Sequence, residues 1–261
     1  MRIALVSLNQ IWEDKEANMR RISAMISAIA KQSPDLVVFP EMTLTGFTMH
    51  GKVLAEDFCE SATIQYFKEL ARHHSVDIAF GMIQFSDNMP TNNLVLVTSQ
   101  GEVLLNYAKM HPFSYSGEDQ SYRKGNELGV CEYKGCPVGA TICYDLRFPE
   151  LYQALSKQTK LILNIANWPK LRIADWRLLL HARALENQVF LIGVNRTGTD
   201  GRDIEYESSS MIVAPDGRDI EPILTDGEVS CYDIDLSVVD DYRQSFPVKK
   251  DRRIELYRKL L

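Results

Sequence analysis

Much is missing from this chain of 261 residues, and each gap removes a class of function. No apolar run approaches the roughly 20 residues needed to cross a bilayer. The apolar start, Ile3-Ala4-Leu5-Val6, stops by Asn9 and reads as a strand, not a secretory signal. A cytoplasmic location and no membrane partner are the resulting expectations. No long basic block occurs, and the net charge is −6 with an isoelectric point near 5.5, so nucleic acid is not an expected partner. The five cysteines (Cys59, Cys131, Cys136, Cys143, Cys231) are odd in number and include no C-x-x-C pair. That argues against a zinc or dithiol redox site and, without secretion, against a disulfide framework. H-E-x-x-H and other clustered ligand patterns are missing, so no metal site is assigned. The Gly/Ser-rich surround of a Ser-Ser-Lys amidase is missing around Ser208-Ser209-Ser210. Linkers, low-complexity tracts and internal repeats are absent too, and one domain over residues 1–261 is expected.

What is present is an ordinary globular composition, 45% apolar and 25% charged. Ile3 to Leu8 reads as a strand. Asp14 is placed to cap a helix carrying Ile22, Met25, Ile26 and Ile29, which Pro34 stops. Asp35 to Phe39 is an interior strand, and Ser61 caps a second helix with Ile64, Phe67, Leu70 and Ala71 on one face. Asp77 to Phe85 is a strand, and Asn93–Thr98 with Glu102–Lys109 forms a hairpin. Residues 111–127 read as a site-lining loop. A helix over Pro149–Lys157, a strand over Leu161–Ile165, a helix around Trp176, Leu179, Leu180 and Ala184, and a strand over Val189–Val194 follow. Ser209–Ala214 and Val229–Ile234 are expected to pair as a hairpin around Pro215-Asp216-Gly217. Ser237–Phe246 reads as helical, and the basic tail has Ile254, Tyr257 and Leu261 at helical spacing. Alternating strands and helices with inserted hairpins argue for an α/β layered fold.

Three strand-like runs end on reactive or charged residues: Glu41, Lys109 and Cys143. The segment Thr141-Ile142-Cys143-Tyr144-Asp145-Leu146-Arg147-Phe148-Pro149-Glu150 reads as strand, sharp turn and helix, with the cysteine at the turn. Each residue alone has a plainer explanation, a buried cysteine closing a core strand or a solvated charge after one. Ligands of layered α/β folds collect at the carboxyl ends of strands, so the three side chains can converge. Together their chemistry is coherent. A thiol needs a base and a nearby cation to attack as thiolate, a partly buried glutamate serves as base, and a lysine beside a developing oxyanion supplies fixed positive charge.

Phe39-Pro40-Glu41-Met42, Lys109-Met110-His111 and Cys143-Tyr144-Asp145-Leu146-Arg147-Phe148-Pro149-Glu150 resemble, in order, the three catalytic motifs of the nitrilase superfamily of carbon–nitrogen hydrolases. Arg183-Ala184-Leu185-Glu186-Asn187-Gln188 and Ser245-Phe246-Pro247 extend the resemblance almost end to end. It implies a four-layer α-β-β-α sandwich, pairing into a homodimer or higher homo-oligomer, and no cofactor. It also implies Glu41 as general base, Lys109 as oxyanion stabiliser and Cys143 as nucleophile. The Tyr144 N–H is the second oxyanion donor, and Glu118 matches the further glutamate that orients the site.

Cys143 to Tyr152, followed by Asn164-Ile165-Ala166-Asn167-Trp168-Pro169, is similar to the omega-amidase branch. That implies a small-molecule amide substrate, a short α-keto dicarboxylic monoamide such as 2-oxoglutaramate or 2-oxosuccinamate. Its free carboxylate calls for an arginine. Arg147 and Arg172 are candidates, with ordinary ion pairs as the alternative role. Phe113, Tyr115 and Trp168 are candidates for shaping the pocket, with core packing as the alternative. Other substrates of the same superfamily, including carbamoyl amines and nitriles, stay open, as do a Cys–His hydrolase using His111 or His181 and a catalytically inactive scaffold.

Overall fold

The computed structural model describes residues 1–85 and 87–260. Two sheets are stacked face to face. The seven-stranded sheet runs, edge to edge, Leu224–Asp226, Val229–Asp233, Arg2–Val6, Leu36–Val38, Asp77–Gln84, Thr91–Val97 and Val103–Ala108. The six-stranded sheet runs Asp219–Ile220, Met211–Val213, Phe190–Asn195, Leu161–Ala166, Cys136–Ile142 and Gly129–Tyr133.

Side-chain alternation decides the layering. On strand Arg2–Val6, Ile3 and Leu5 face the other sheet and meet Val138, Ala140, Ile142, Leu163 and Ile192 in the inter-sheet core. Ala4 and Val6 face outward, under Ile22, Ile26 and Ile29 of helix Lys15–Ala30 and under Ile64, Phe67 and Ala71 of helix Ala62–His74. The second sheet is covered in the same way by Leu151, Tyr152 and Leu155 of helix Pro149–Leu155 and by Trp176, Leu180 and Ala184 of helix Ile173–Asn187. Helix, sheet, sheet, helix is the expected four-layer sandwich.

The expected caps form. Asp14 accepts from the Ala17 N–H and Ser61 from the Ile64 N–H, each worth about 1 kcal/mol. One expected pairing is wrong. Met211–Val213 turns at Pro215–Gly217 into Asp219–Ile220, whereas Val229–Asp233 pairs with Arg2–Val6 in the other sheet. The turn residues act as read, since Gly217 has φ +84 and its N–H bonds Ala214 O. Pro222 then offers no N–H to continue a ladder. The chain crosses to the first sheet, where Asp226, Gly227, Glu228 and Val229 make the hairpin turn between Leu224–Asp226 and Val229–Asp233. Cys231 and Tyr232 fill opposite faces of that sheet. The tail is helical over Ile254–Leu260, with Ile254 and Tyr257 exposed; Leu261 lies outside the described residues.

Topology sets the site. Leu36–Val38 and Asp77–Gln84 run parallel to Arg2–Val6, and two antiparallel steps return Val103–Ala108 to the same direction. Their carboxyl ends therefore share one edge. Cys136–Ile142, Leu161–Ala166 and Phe190–Asn195 are likewise mutually parallel, so Cys143 and Asn167 emerge together.

Candidate active site

Cys143 follows strand Cys136–Ile142 with φ +46, a left-handed conformation that costs a non-glycine residue on the order of 1 kcal/mol or more. The fold holds it there through Asp145, which is fully buried. One Asp145 oxygen accepts from the Ile142 N–H (3.0 Å) and the Tyr107 hydroxyl (2.8 Å); the other accepts from the His111 N–H (2.9 Å) and contacts its Nδ1 (2.8 Å). The His111 ring stacks on Phe148 at 3.8 Å. His111 thus braces the turn, and His181 bonds Asp219 on the outer helix (2.7 Å), so each histidine has a structural task. Ser209 and Ser210 are likewise committed, bonding Asn195 beside the start of strand Met211–Val213.

Glu41 is wedged at the opposite sheet edge. A Cβ on Gly81 would lie 2.3 Å from Met42 N and 2.8 Å from Glu41 Cα, so only glycine admits this approach. Gln10 Nε2 donates to the Glu41 and Met42 carbonyls at 2.9 and 2.8 Å, and Asn167 Nδ2 to the Glu41 carbonyl at 2.7 Å.

Lys109, Glu41 and Glu118 form one buried cluster, each at most 1% exposed. Lys109 Nζ bonds Glu41 Oε1 at 2.9 Å and both Glu118 oxygens at 3.0 and 2.8 Å. Burial opposes the ammonium charge, but the two carboxylates outweigh it and hold the Lys109 pKa well above its usual value. Burial raises the Glu118 pKa, and Glu41 adds to the rise that Lys109 only partly offsets. The Cys143 thiol is pushed well up, first by burial and then by Glu41, against the pull of Lys109 and of the Asn167 N–H. A neutral thiol is the resting form, so a base must take its proton during attack.

Counting donors decides between the two carboxylates. Both Glu118 oxygens carry two donors each: Oε1 has Lys109 and Asn92, Oε2 has Lys109 and the Phe113 N–H at 2.5 Å. Glu41 Oε1 likewise carries Lys109 and Asn92, but among the described residues Oε2 accepts from the Asn167 N–H alone, at 2.9 Å. That same N–H lies within reach of the Cys143 sulfur. Glu41 Oε2 is the carboxylate oxygen with room for a proton beside the thiol. The Tyr144 N–H lies in the first turn of the short helix Cys143–Arg147, where backbone donors lack an intrahelical acceptor.

Cys143 opens into a cavity of about 940 Å³ that Phe113, Tyr115, Tyr144 and Trp168 help to line. Phe113 and Tyr144 pack at 4.8 Å, Trp168 is buried with its Nε1 donating to the Arg172 carbonyl (2.8 Å), and Tyr115 stands 87% exposed at the mouth. Of the two candidate arginines, Arg147 is already paired with Asp175 at 2.7 Å and lies over Trp168. Arg172 lies over the Phe113 ring at 5.5 Å and is in no ion pair among the described residues. Arg202, which sequence reasoning missed, also lines the cavity, over the Phe47 ring at 5.7 Å. Its signal was the charged, glycine-containing stretch Thr199-Asp200-Gly201-Arg202-Asp203 between two strands. Asn92, equally missed, carries no distinguishing local pattern, and Asn167 stood in the Asn164–Pro169 segment without a role assigned to it.

At one edge of an α-β-β-α sandwich the chain thus presents a cysteine in a strained backbone conformation, a carboxylate and an ammonium. The chain is a member of the nitrilase superfamily, for the Carbon-nitrogen hydrolase family profile matches residues 2–244. It is 32% identical to omega-amidase YafV of Yersinia enterocolitica over 253 residues, 96% of each protein. To 2-oxoglutaramate amidase of Bacillus subtilis it is 31% identical over 243 residues, 92% of this chain and 93% of that one. Among solved structures, XC1258 of Xanthomonas campestris, a CN-hydrolase superfamily protein with an arsenic adduct in its active site, superposes with a TM-score of 0.89. Identity there is 30% and coverage 97% of both chains.

Proposed function

We propose that this amidase is an omega-amidase, hydrolysing the terminal amide of short α-keto dicarboxylic monoamides such as 2-oxoglutaramate and 2-oxosuccinamate, and that the whole chain acts as one catalytic domain. Glu41 Oε2 takes the Cys143 proton as the sulfur attacks the amide carbon. The oxyanion rests on Lys109 Nζ and the Tyr144 N–H. The C–N bond breaks, Glu41 returns the proton to the leaving nitrogen, and ammonia departs from a Cys143 thioester. Glu41 then takes a proton from water, the hydroxide adds to the thioester carbon, and the C–S bond breaks to give the carboxylic acid while Glu41 returns the proton to the departing sulfur, restoring the thiol. Glu118, with every lone-pair site engaged, holds Lys109 in place. No step calls for a cofactor.

The observation that carries the reaction is the single open acceptor on Glu41 beside the thiol. The substrate assignment is supported by the names of the full-length relatives and by Arg172 and Arg202. Two cavity cations with no carboxylate partner among the described residues suit the free carboxylate of the substrate, while Phe113, Tyr115 and Trp168 bound the space around the chain. We also read the protein as a homodimer or higher homo-oligomer, a reading that the exposed Ile254 and Tyr257 of the tail helix favour.

The test is ammonia release across 2-oxoglutaramate, 2-oxosuccinamate, glutamine and asparagine, with a carbamoyl amine and a nitrile alongside. The two keto acid amides are expected to lead. Equal rates on glutamine would sink the assignment, and faster carbamoyl or nitrile turnover would move the protein to another branch. Cys143→Ala should abolish turnover with its melting temperature unchanged; wild-type ammonia release from that variant would refute the thiol mechanism.

A further inference from the structure

Asn92, on strand Thr91–Val97, bonds both carboxylates behind Cys143. Its side-chain NH2 donates to Glu41 Oε1 at 2.7 Å and to Glu118 Oε1 at 2.9 Å, and its backbone carbonyl accepts from the backbone N–H of Lys109 at 2.9 Å. Two carboxylates around one ammonium leave an excess negative charge where neither carboxylate meets water. A neutral donor shared by both favours their ionised forms. Charge also fixes the amide's orientation, since reversed it would turn Oδ1 toward two carboxylate oxygens. That orientation has a cost. Asn92 Oδ1 is buried with no hydrogen-bond partner among the described residues, which an apolar side chain of similar size would avoid.

We infer that Asn92 is a positioning residue for the reaction, occupying Glu41 Oε1 so that Oε2 faces Cys143, and fixing Glu118 against Lys109. The inference rests on Glu41 as the base. Glu41 Oε1 is held from two sides, by Nζ and by the amide, so the carboxylate plane cannot turn. Without the amide, Oε1 also becomes an open acceptor, and the carboxylate loses one of the three donors that fix its plane. The other titratable groups facing the pair are Cys143 and Tyr122. Tyr122 is held neutral by burial and by the nearby carboxylates, and its hydroxyl donates to the Thr48 carbonyl at 2.7 Å, so it does not take over the donor's task.

The experiment compares Asn92→Ala and Asn92→Leu with Glu41→Gln in the full chain, using the best amide of the panel. It reads kcat, KM, the pH profile of kcat/KM, the iodoacetamide alkylation rate of Cys143 and the melting temperature. Both Asn92 variants should lose about 10- to 100-fold in kcat with KM changed less than about twofold. The acid limb of the profile should move to higher pH, because the ionised pair has lost a donor, and Cys143 alkylation should slow near neutral pH. The melting temperature should hold or, for Asn92→Leu, rise. Unchanged kcat and pH profile in both variants, with Glu41→Gln inactive, would overturn the role of Asn92 and leave the base standing. A kcat loss that follows melting temperature with an unmoved pH profile would also overturn it. Wild-type turnover in Glu41→Gln would remove the base reading and the inference together.

Discussion

At the scale of residues, charge balance governs the site. Lys109 bonds two carboxylates in a space closed to water, so it is a structural ion as well as the oxyanion donor proposed above. Lys109→Met should therefore do two separable things. Loss of the oxyanion donor should lower kcat by about 100- to 1,000-fold, and stranding both carboxylates should cost about 3–5 kcal/mol in urea unfolding. The sign of the pH effect follows. Acid protonates one of the stranded carboxylates, so the stability deficit should narrow as pH falls; a deficit that widens would show that the carboxylates are not stranded. Glu41, Lys109 and Cys143 stood out in the sequence as charged or reactive residues at strand ends whose chemistry is coherent as a set, and the structure brings them to one edge. Asn92 and Asn167 did not, since an asparagine matters here only through the side chains that the fold brings against it.

Elements deliver those residues, and backbone approach limits them. Strand Asp77–Gln84 passes so close to the segment carrying Glu41 that Gly81 has no room for a methyl group. Gly81→Ala should push Glu41 off Lys109, lowering kcat about 100-fold and stability by about 1–3 kcal/mol. Wild-type kinetics in that variant would show that the segment yields freely. The sequence offered Gly81 only as a glycine inside a strand, a weak sign of close approach. Helix caps were readable at Asp14 and Ser61, because capping depends on residues three apart in the chain. The partner of Val229–Asp233 was not, since a strand's neighbour depends on which sheet has an edge open to it.

For the whole molecule, layers are tied by a few polar knots as well as by the apolar cores. Glu56 is one. It bonds Lys15 of one outer helix at 2.5 Å, and Ser61 and Thr63 at the start of the other at 2.6 Å. Its backbone brackets strand Asp77–Gln84 through Ile83 and Phe85. Burial alone would raise its pKa, but those donors prevail and lower it to about 2. Because the folded value lies below the unfolded one of 4.5, Glu56 contributes stability that is complete above pH 4.5 and lost as pH falls toward 2. Glu56→Gln should lower the melting temperature near neutral pH and flatten its decline in acid, which calorimetry from pH 6 to 2.5 would read. An equal acid decline in the variant would exclude this contribution.

The sequence by itself determined the alternation of strands and helices, the layered α/β class and the three reactive strand ends, because periodicity, capping and residue chemistry are local properties of the chain. Only the tertiary structure decided which sheet receives Val229–Asp233, that Arg147 is spent on Asp175 while Arg172 and Arg202 line the cavity over aromatic rings with no carboxylate partner among the described residues, and that Glu41 keeps an acceptor site on one oxygen while both Glu118 oxygens carry two donors. Those outcomes depend on donors and acceptors dozens of residues apart, whose pairing is fixed when the sheets pack and exclude water.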